Sequence, residues 1–119
     1  MANGDPITRK DRLFHVKMID ARAATDNGVW LSTDGYDQVT FHVDGITTAT
    51  VTINASNAPT IPANSTAGVV RASLTADGEV IYDVLPRWMK CAITAWTTGT
   101  ISVYAVFRLS GGVSLTSLQ

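Results

Sequence analysis

The sequence predicts an all-β protein, an antiparallel β-sandwich that is jelly-roll-like and has about eight short strands. Several segments alternate apolar and polar residues with a period of two and are rich in β-branched side chains. Turn signals that contain glycine separate these segments at short intervals. No segment keeps an apolar stripe at helical spacing. The length of 119 residues fits one such domain.

The clearest strand signals lie in segments 36–43 and 47–54. In the first segment Val39, Phe41 and Val43 alternate with polar residues, and along 47–54 threonines alternate with apolar residues. Asp44-Gly45 between them is a dipeptide typical of tight turns. These features predict a hairpin.

A second hairpin is predicted where segments 69–75 and 79–84 flank Ala76-Asp77-Gly78. Further strands are expected at 28–32 and around 13–20 because both segments mix β-branched and aromatic residues with polar ones. Asp5-Pro6 resembles a helix start, but the residues after it support at most a short turn.

The last predicted hairpin joins 88–96 to 100–109 through Thr97-Thr98-Gly99. Both faces of these strands are partly apolar, which indicates that a second layer of the domain or another chain covers them. A chain of this length has little material for a third layer, so a subunit contact is expected, although a position beneath a loop or the N-terminal segment is an equal alternative for the tryptophans. Trp30 is expected in the core. The predicted contact residues are Trp88, Trp96, Tyr104, Val106 and Arg108.

One long loop interrupts the strands at 55–68. Pro59 and Pro62 exclude a central strand there, so the loop is expected to cross between two sheets. Both prolines are also candidates for contact with other proteins.

The predicted layout is an N-terminal arm at 1–12, a sandwich domain at 13–109 and a C-terminal tail at 110–119. Both termini suit a clamping role, and Arg9 and Arg12 of the arm are further contact candidates; simple terminal disorder is the alternative.

The charge pattern argues against nucleic-acid and membrane partners. Charged residues make up 16% of the chain and the net charge is −1, so no strong field would attract a polyanion. Acidic residues dilute the basic cluster near the N-terminus. The N-terminus lacks the apolar stretch of a signal peptide, so synthesis in the cytoplasm is expected.

Catalytic, cofactor and metal sites are not predicted. His15 and His42 have no second histidine at metal-ligand spacing, and the single cysteine, Cys91, is expected to be an inert core thiol. Three of the ten Asp and Glu residues directly precede glycine at predicted turns. Loop 54–66 together with Asp34 or Asp37 is kept as an alternative calcium site.

A set of motifs runs through the segment from about 28 to 109. They are Gly35 to Thr40, Gly45 to Val51, Ser56 to Pro59, Leu85 to Trp88 and Trp96 to Tyr104. The stretch from Leu-Pro-Arg-Trp to Thr-Gly-Thr-Ile-Ser-Val-Tyr is the most distinctive part. With these motifs the segment resembles small virion proteins of tailed bacteriophages.

The resemblance implies a non-enzymatic virion structural protein. The leading expectation is a capsid decoration (cement) protein, a homo-oligomer with a trimer favoured, that binds and stabilises the major capsid protein lattice. The alternatives are a neck, tail or fibre component, or a carbohydrate-binding module on the virion surface. In the last case Trp88, Trp96 and Tyr104 would stack on sugar rings.

Overall fold

A computed structural model of the chain describes residues 3–10 and 13–109, which contain strands and no helix. No element in this part of the chain could cross a membrane as a helix. All strand pairs are antiparallel, and they form one seven-stranded sheet. The strands are β1 (Asp5–Lys10), β2 (Leu13–Arg22), β3 (Leu31–Ser32), β4 (Gln38–Ser56), β5 (Val69–Leu74), β6 (Gly78–Tyr82) and β7 (Trp88–Arg108).

Two long strands form the backbone of the sheet. β4 has 19 residues and β7 has 21, and they pair from Gln38 with Arg108 to Ser56 with Trp88. The pairing shifts register near the middle of both strands, between Asp44 and Val51 on β4. Such bulges bend a strand and increase its twist.

The bend divides the sheet into two parts. The first half-sheet contains β1, β2 and β6 together with residues 38–44 of β4 and 102–108 of β7. The second half-sheet contains β3 and β5 together with residues 49–56 of β4 and 88–95 of β7.

Inward-facing side chains of both half-sheets form one hydrophobic core, as in a β-sandwich. The predicted all-β antiparallel fold is thereby confirmed. The buried core residues are Phe14, Val16, Met18, Ile19, Val39, Phe41, Val43, Ala49, Val51, Ile53, Met89, Cys91, Ile93, Ile101, Val103, Ala105 and Phe107.

Two of the predicted hairpins are wrong, because their turn signals lie inside continuous strands. Gly45 (φ +89°) and Gly99 (φ +116°) face each other at the bend instead of reversing the chain. A Cβ on Gly99 would lie 2.6 Å from the carbonyl oxygen of Gly45, so only glycine fits this crossing. Glycine with positive φ suits a tight turn and a β-bulge equally, so the dipeptide alone does not distinguish them.

The predicted hairpin of 69–75 with 79–84 is also wrong. Both strands exist, as β5 and β6, but each pairs with β4 on its own side of the bend. The described chain therefore has seven strands, two of them long, in place of about eight short ones.

The remaining strand predictions have mixed outcomes. The strand expected around 13–20 is confirmed as β2, whereas the one expected at 28–32 shrinks to the two residues of β3. Asp5–Lys10, where at most a short turn was expected, forms β1 and pairs with β2. The predicted tail at 110–119 lies outside the described residues.

Candidate functional site

Loop 57–68 covers the outer face of the second half-sheet. Four side chains that lie between the loop and the core donate hydrogen bonds to the backbone carbonyls of the loop, so the loop is held along its length. Trp88 and Trp30 both use their indole N–H groups in this way, and Trp30, only 1% exposed, is buried as predicted. The bonds are Trp88 Nε1 to Ala58 O (2.9 Å), Trp30 Nε1 to Ala63 O (3.0 Å), Lys90 Nζ to Asn64 O (2.6 Å) and Asn54 Nδ2 to Ala67 O (2.8 Å).

The end of the loop approaches the sheet closely at Gly68. This residue has φ of +62°, and a Cβ there would lie 2.9 Å from the ring of Trp30 and 2.5 Å from the carbonyl oxygen of Ala55. The packing at Gly68 and the four hydrogen bonds together fix the position of the loop.

Lys90 is a buried cation beneath this loop. Its exposed fraction is 2%, and its ammonium group lies 5.2 Å from the centre of the Trp30 ring. Burial lowers the pKa of Lys90, although the negative charge of Asp26 opposes that effect. The ammonium is held by a carbonyl and an aromatic face, which offset only part of the cost of burying a charge.

Lys90→Met should change how stability depends on pH. Because the pKa of Lys90 is lower in the folded chain than in the unfolded one, wild type should gain unfolding free energy relative to the variant as pH rises through the lowered pKa toward the ordinary lysine value of 10.5. Urea unfolding at several pH values would measure that difference.

Lys17→Met is the matched control for this experiment. A hydrogen bond and a 2.7 Å ion pair with Asp20 raise the pKa of Lys17, so the difference between wild type and this variant should stay constant below the ordinary lysine pKa of 10.5 and decrease only as pH rises above it. Parallel curves for the two variants would contradict the account.

The outer face of the first half-sheet is organised differently. We call it the open face. Its side chains are half-buried or exposed, and Ile81 is 59% exposed. The face includes His15 and Lys17 on β2, Arg108, Val106, Tyr104 and Ser102 on β7, Gln38, Thr40, His42 and Asp44 on β4, and Glu79 and Ile81 on β6.

A row of contacting side chains crosses the open face from β2 to β6. The ammonium of Lys17 lies 5.3 Å from the centre of the Tyr104 ring, whose centre is 6.3 Å from that of His42. His42 Nδ1 then lies 3.5 Å from a carboxylate oxygen of Glu79. His15 flanks Tyr104 at 6.3 Å. The centre of the open face is therefore aromatic and aliphatic, with charges at its sides.

The structure brings together three of the predicted contact residues, Tyr104, Val106 and Arg108, because they occupy alternate positions of β7 on the open face. Trp88 lies at the other end of the sheet, half-buried beside the loop, with Arg87 5.6 Å from its ring.

Trp96 lies at the bend, where its indole N–H donates to the carbonyl oxygen of Gly99 at 2.8 Å. It lines a cleft of about 300 Å³ with several threonines.

Pro59 is exposed on the loop and Pro62 is half-buried. Arg9 belongs to β1, and Arg12 lies outside the described residues. The predicted contact residues are thus spread over several surfaces.

The contribution of β6 to the open face does not follow from the sequence pattern. Ile81 and Glu79 alternate with the partly buried Val80, which is a period-two signal. That signal predicts a strand but not its position beside β4. Tyr104 is a predicted contact residue, but its position between His15 and His42 joins three strands and does not follow from spacing along the chain.

A polar cleft of about 560 Å³ lies where the chain leaves β3 and enters β7. Its lining includes Asp34, Asp37, Asp83 and Arg87. Gln38 Nε2 donates to Asp83 at 2.8 Å, and Thr33 Oγ1 donates to the carbonyl oxygen of Pro86. Within residues 3–10 and 13–109, no three His, Cys, Asp or Glu side chains are grouped so that they could hold a metal ion, which leaves the alternative calcium site without support.

Cys91 should not react with thiol reagents in the folded protein. The residue is fully buried in the core, and burial raises the pKa of its thiol, so the reactive thiolate is suppressed. Titration with a chromogenic disulfide should detect no thiol in native buffer and one thiol per chain in guanidinium chloride. Rapid labelling of the native protein would show that the core opens at this strand.

Comparison of the chain with family models, with curated proteins and with solved structures finds no match in any of the three.

Proposed function

We propose that the chain is a non-enzymatic structural protein that binds other proteins, and that its setting is the particle of a tailed bacteriophage. Within that setting we propose the role of a capsid decoration protein on the major capsid lattice. The observation that carries the binding role is the contrast between the two outer faces of the sheet. The chain's own loop covers one face, whereas the open face presents Tyr104, Val106 and Ile81 at its surface.

The chemistry of the open face suits a protein contact. Aromatic residues and arginine are enriched at protein interfaces, and a flat sheet face offers a rigid surface that loses little entropy on binding. The low charged fraction of 16% adds to this, because weakly charged surfaces repel neighbouring subunits little.

Two carboxylates, which could in principle act as acids or bases, have structural roles in this fold. Asp77 accepts a hydrogen bond from the backbone N–H of Ile46 at 2.8 Å, next to the bend. Asp26 accepts one from the backbone of Gly28 at 2.8 Å and forms an ion pair with Arg22 at 3.0 Å. Turn and bulge geometry accounts for these carboxylates without acid–base catalysis. The bacteriophage setting is supported by the resemblance of residues 28–109.

Quantitative mass spectrometry of purified particles tests this proposal. A decoration protein should be present in fixed proportion to the major capsid protein, and particles made without it should release DNA at a lower temperature. A few copies per particle would replace the decoration role with a neck, tail or fibre role. Absence of the chain from the particles would overturn the virion assignment.

A further inference from the structure

We propose that the open face binds a second copy of this chain, face to face, about a twofold axis that runs parallel to β4 and β7. The inference rests on the proposed role as a protein-binding structural domain and names its first partner. It follows from how apolar and charged groups are distributed across the open face.

The middle of the open face is suited to lose water. Val106 and Tyr104 lie on β7 with both neighbours of each buried in the core, so their side chains must point outward. Ile81 lies on β6, the strand that pairs with this part of β4, and is 59% exposed. A face of this kind is stabilised when another apolar surface covers it.

The charges on the open face are ordered. Lys17 stands on the β2 side and Glu79 on the β6 side of the row that includes Tyr104 and His42. Lys17 also pairs with Asp20 of its own strand at 2.7 Å, while its ammonium lies near the Tyr104 ring.

A second row of side chains has its positive and negative groups in the same order. Arg108 stands on β7, opposite Gln38 of β4, which donates a hydrogen bond to Asp83 beyond it at 2.8 Å. In both rows a positive group lies on the β2 and β7 side and a negative group on the β4 and β6 side, with Asp20, the ion-pair partner of Lys17 on β2, as the exception.

A twofold axis between β7 and β4, parallel to both, makes this pattern self-complementary. Rotation about that axis places β2 over the partner's β6 and β7 over the partner's β4. Lys17 then faces the partner's Glu79, and Tyr104 faces the partner's His42. Each contact occurs twice, as in any isologous interface, and the two sheets pack with their strands aligned.

The size of the face predicts a weak dimer. Four strands about 4.8 Å apart and about six residues long, at about 3.3 Å each, cover roughly 400 Å² per copy. The dimer would bury roughly 800 Å², less than the roughly 1,200 Å² at which stable interfaces begin. Association should therefore depend strongly on concentration, and neighbouring sites in a larger assembly would favour it.

Charge exchange between Lys17 and Glu79 is the sharpest test. Analytical ultracentrifugation of the full chain should show a monomer–dimer equilibrium. Lys17→Glu and Glu79→Lys should each raise the dissociation constant at least about tenfold, and the double variant should restore it to within about threefold. The two residues lie three strand spacings, or about 14 Å, apart in one chain, so mutual rescue requires a second copy.

A variant pair that does not disturb the Lys17–Asp20 ion pair keeps the test decisive. Val106→Glu should abolish the dimer, whereas Thr94→Glu, on an exposed position of the second half-sheet, should leave the equilibrium unchanged. Thermal unfolding would verify that both variants fold.

A wild-type chain that is monomeric at every concentration, or a dimer that survives Val106→Glu, would overturn the inference. A trimer, the oligomer expected from the sequence, would overturn the inference as well. These results leave the proposed function standing, because that is decided by the composition of the particle. A dimer formed by a chain absent from particles would support the inference and overturn the virion assignment.

Discussion

Gly45→Ala should cause a severe loss of stability. Gly45 has φ of +89°, and an added Cβ would lie well inside van der Waals contact with the carbonyl oxygen of Thr100 on the paired strand. Left-handed backbone alone costs alanine about 1–2 kcal/mol, and separating β4 from β7 at the bend would raise the total loss of unfolding free energy above about 4 kcal/mol.

Gly35→Ala is the control for this prediction. Gly35 has nearly the same φ, +88°, but no atom lies within 4 Å of the position that its Cβ would take. The substitution should therefore cost only the backbone term, about 1–2 kcal/mol. Denaturant unfolding of both variants measures the contrast, and equal losses would mean that the bend does not depend on a close crossing of the two strands.

Trp30→Ala should destabilise the protein by about 3–5 kcal/mol, because it removes a large, fully buried side chain and leaves a cavity under loop 57–68. It also removes the N–H group that binds Ala63 and the aromatic face near the Lys90 ammonium. We expect this loss to be larger than for any other single contact of the loop.

Trp30→Phe separates the hydrogen bond from the packing. The phenyl ring retains most of the apolar surface but leaves the carbonyl of Ala63 without its donor, which should cost about 1–3 kcal/mol. In this variant the amide of Thr66, which donates to the carbonyl oxygen of Ala63 at 2.9 Å, should exchange hydrogen faster, while the amides in the middle of β4 keep their protection. Unchanged exchange in the loop would show that other contacts hold it.

Short-range patterns predicted the class of the fold and the position of several strands. Alternation identified both arms of β4 and of β7 because alternate side chains enter one core. The same patterns could not show that each pair of arms is one strand. That depends on Gly45 crossing Gly99 from 54 positions away, a contact that local turn chemistry does not encode.

The residues of the candidate site could be predicted only in part, because local patterns do not encode long-range contacts. Outward apolar residues on β7 pointed to Tyr104, Val106 and Arg108, which share the open face. On the other half of β7, outward apolar residues are compatible both with a subunit contact and with cover by the chain itself. The chain covers that half with its own loop, through bonds such as that from Lys90 to Asn64, 26 residues apart. Which face remains open is a property of the tertiary fold.

The central claim is that the open face is a protein-contact surface that another chain, a second copy of this one or a neighbouring subunit, covers in an assembled particle. Hydroxyl-radical footprinting of intact particles, compared with the dilute isolated chain, tests it most directly. Tyr104, Val106 and His15 should become protected in the particle, whereas Ile61 and Val84, which are exposed elsewhere on the chain, serve as references. Equal modification of the open face in both samples would contradict the account.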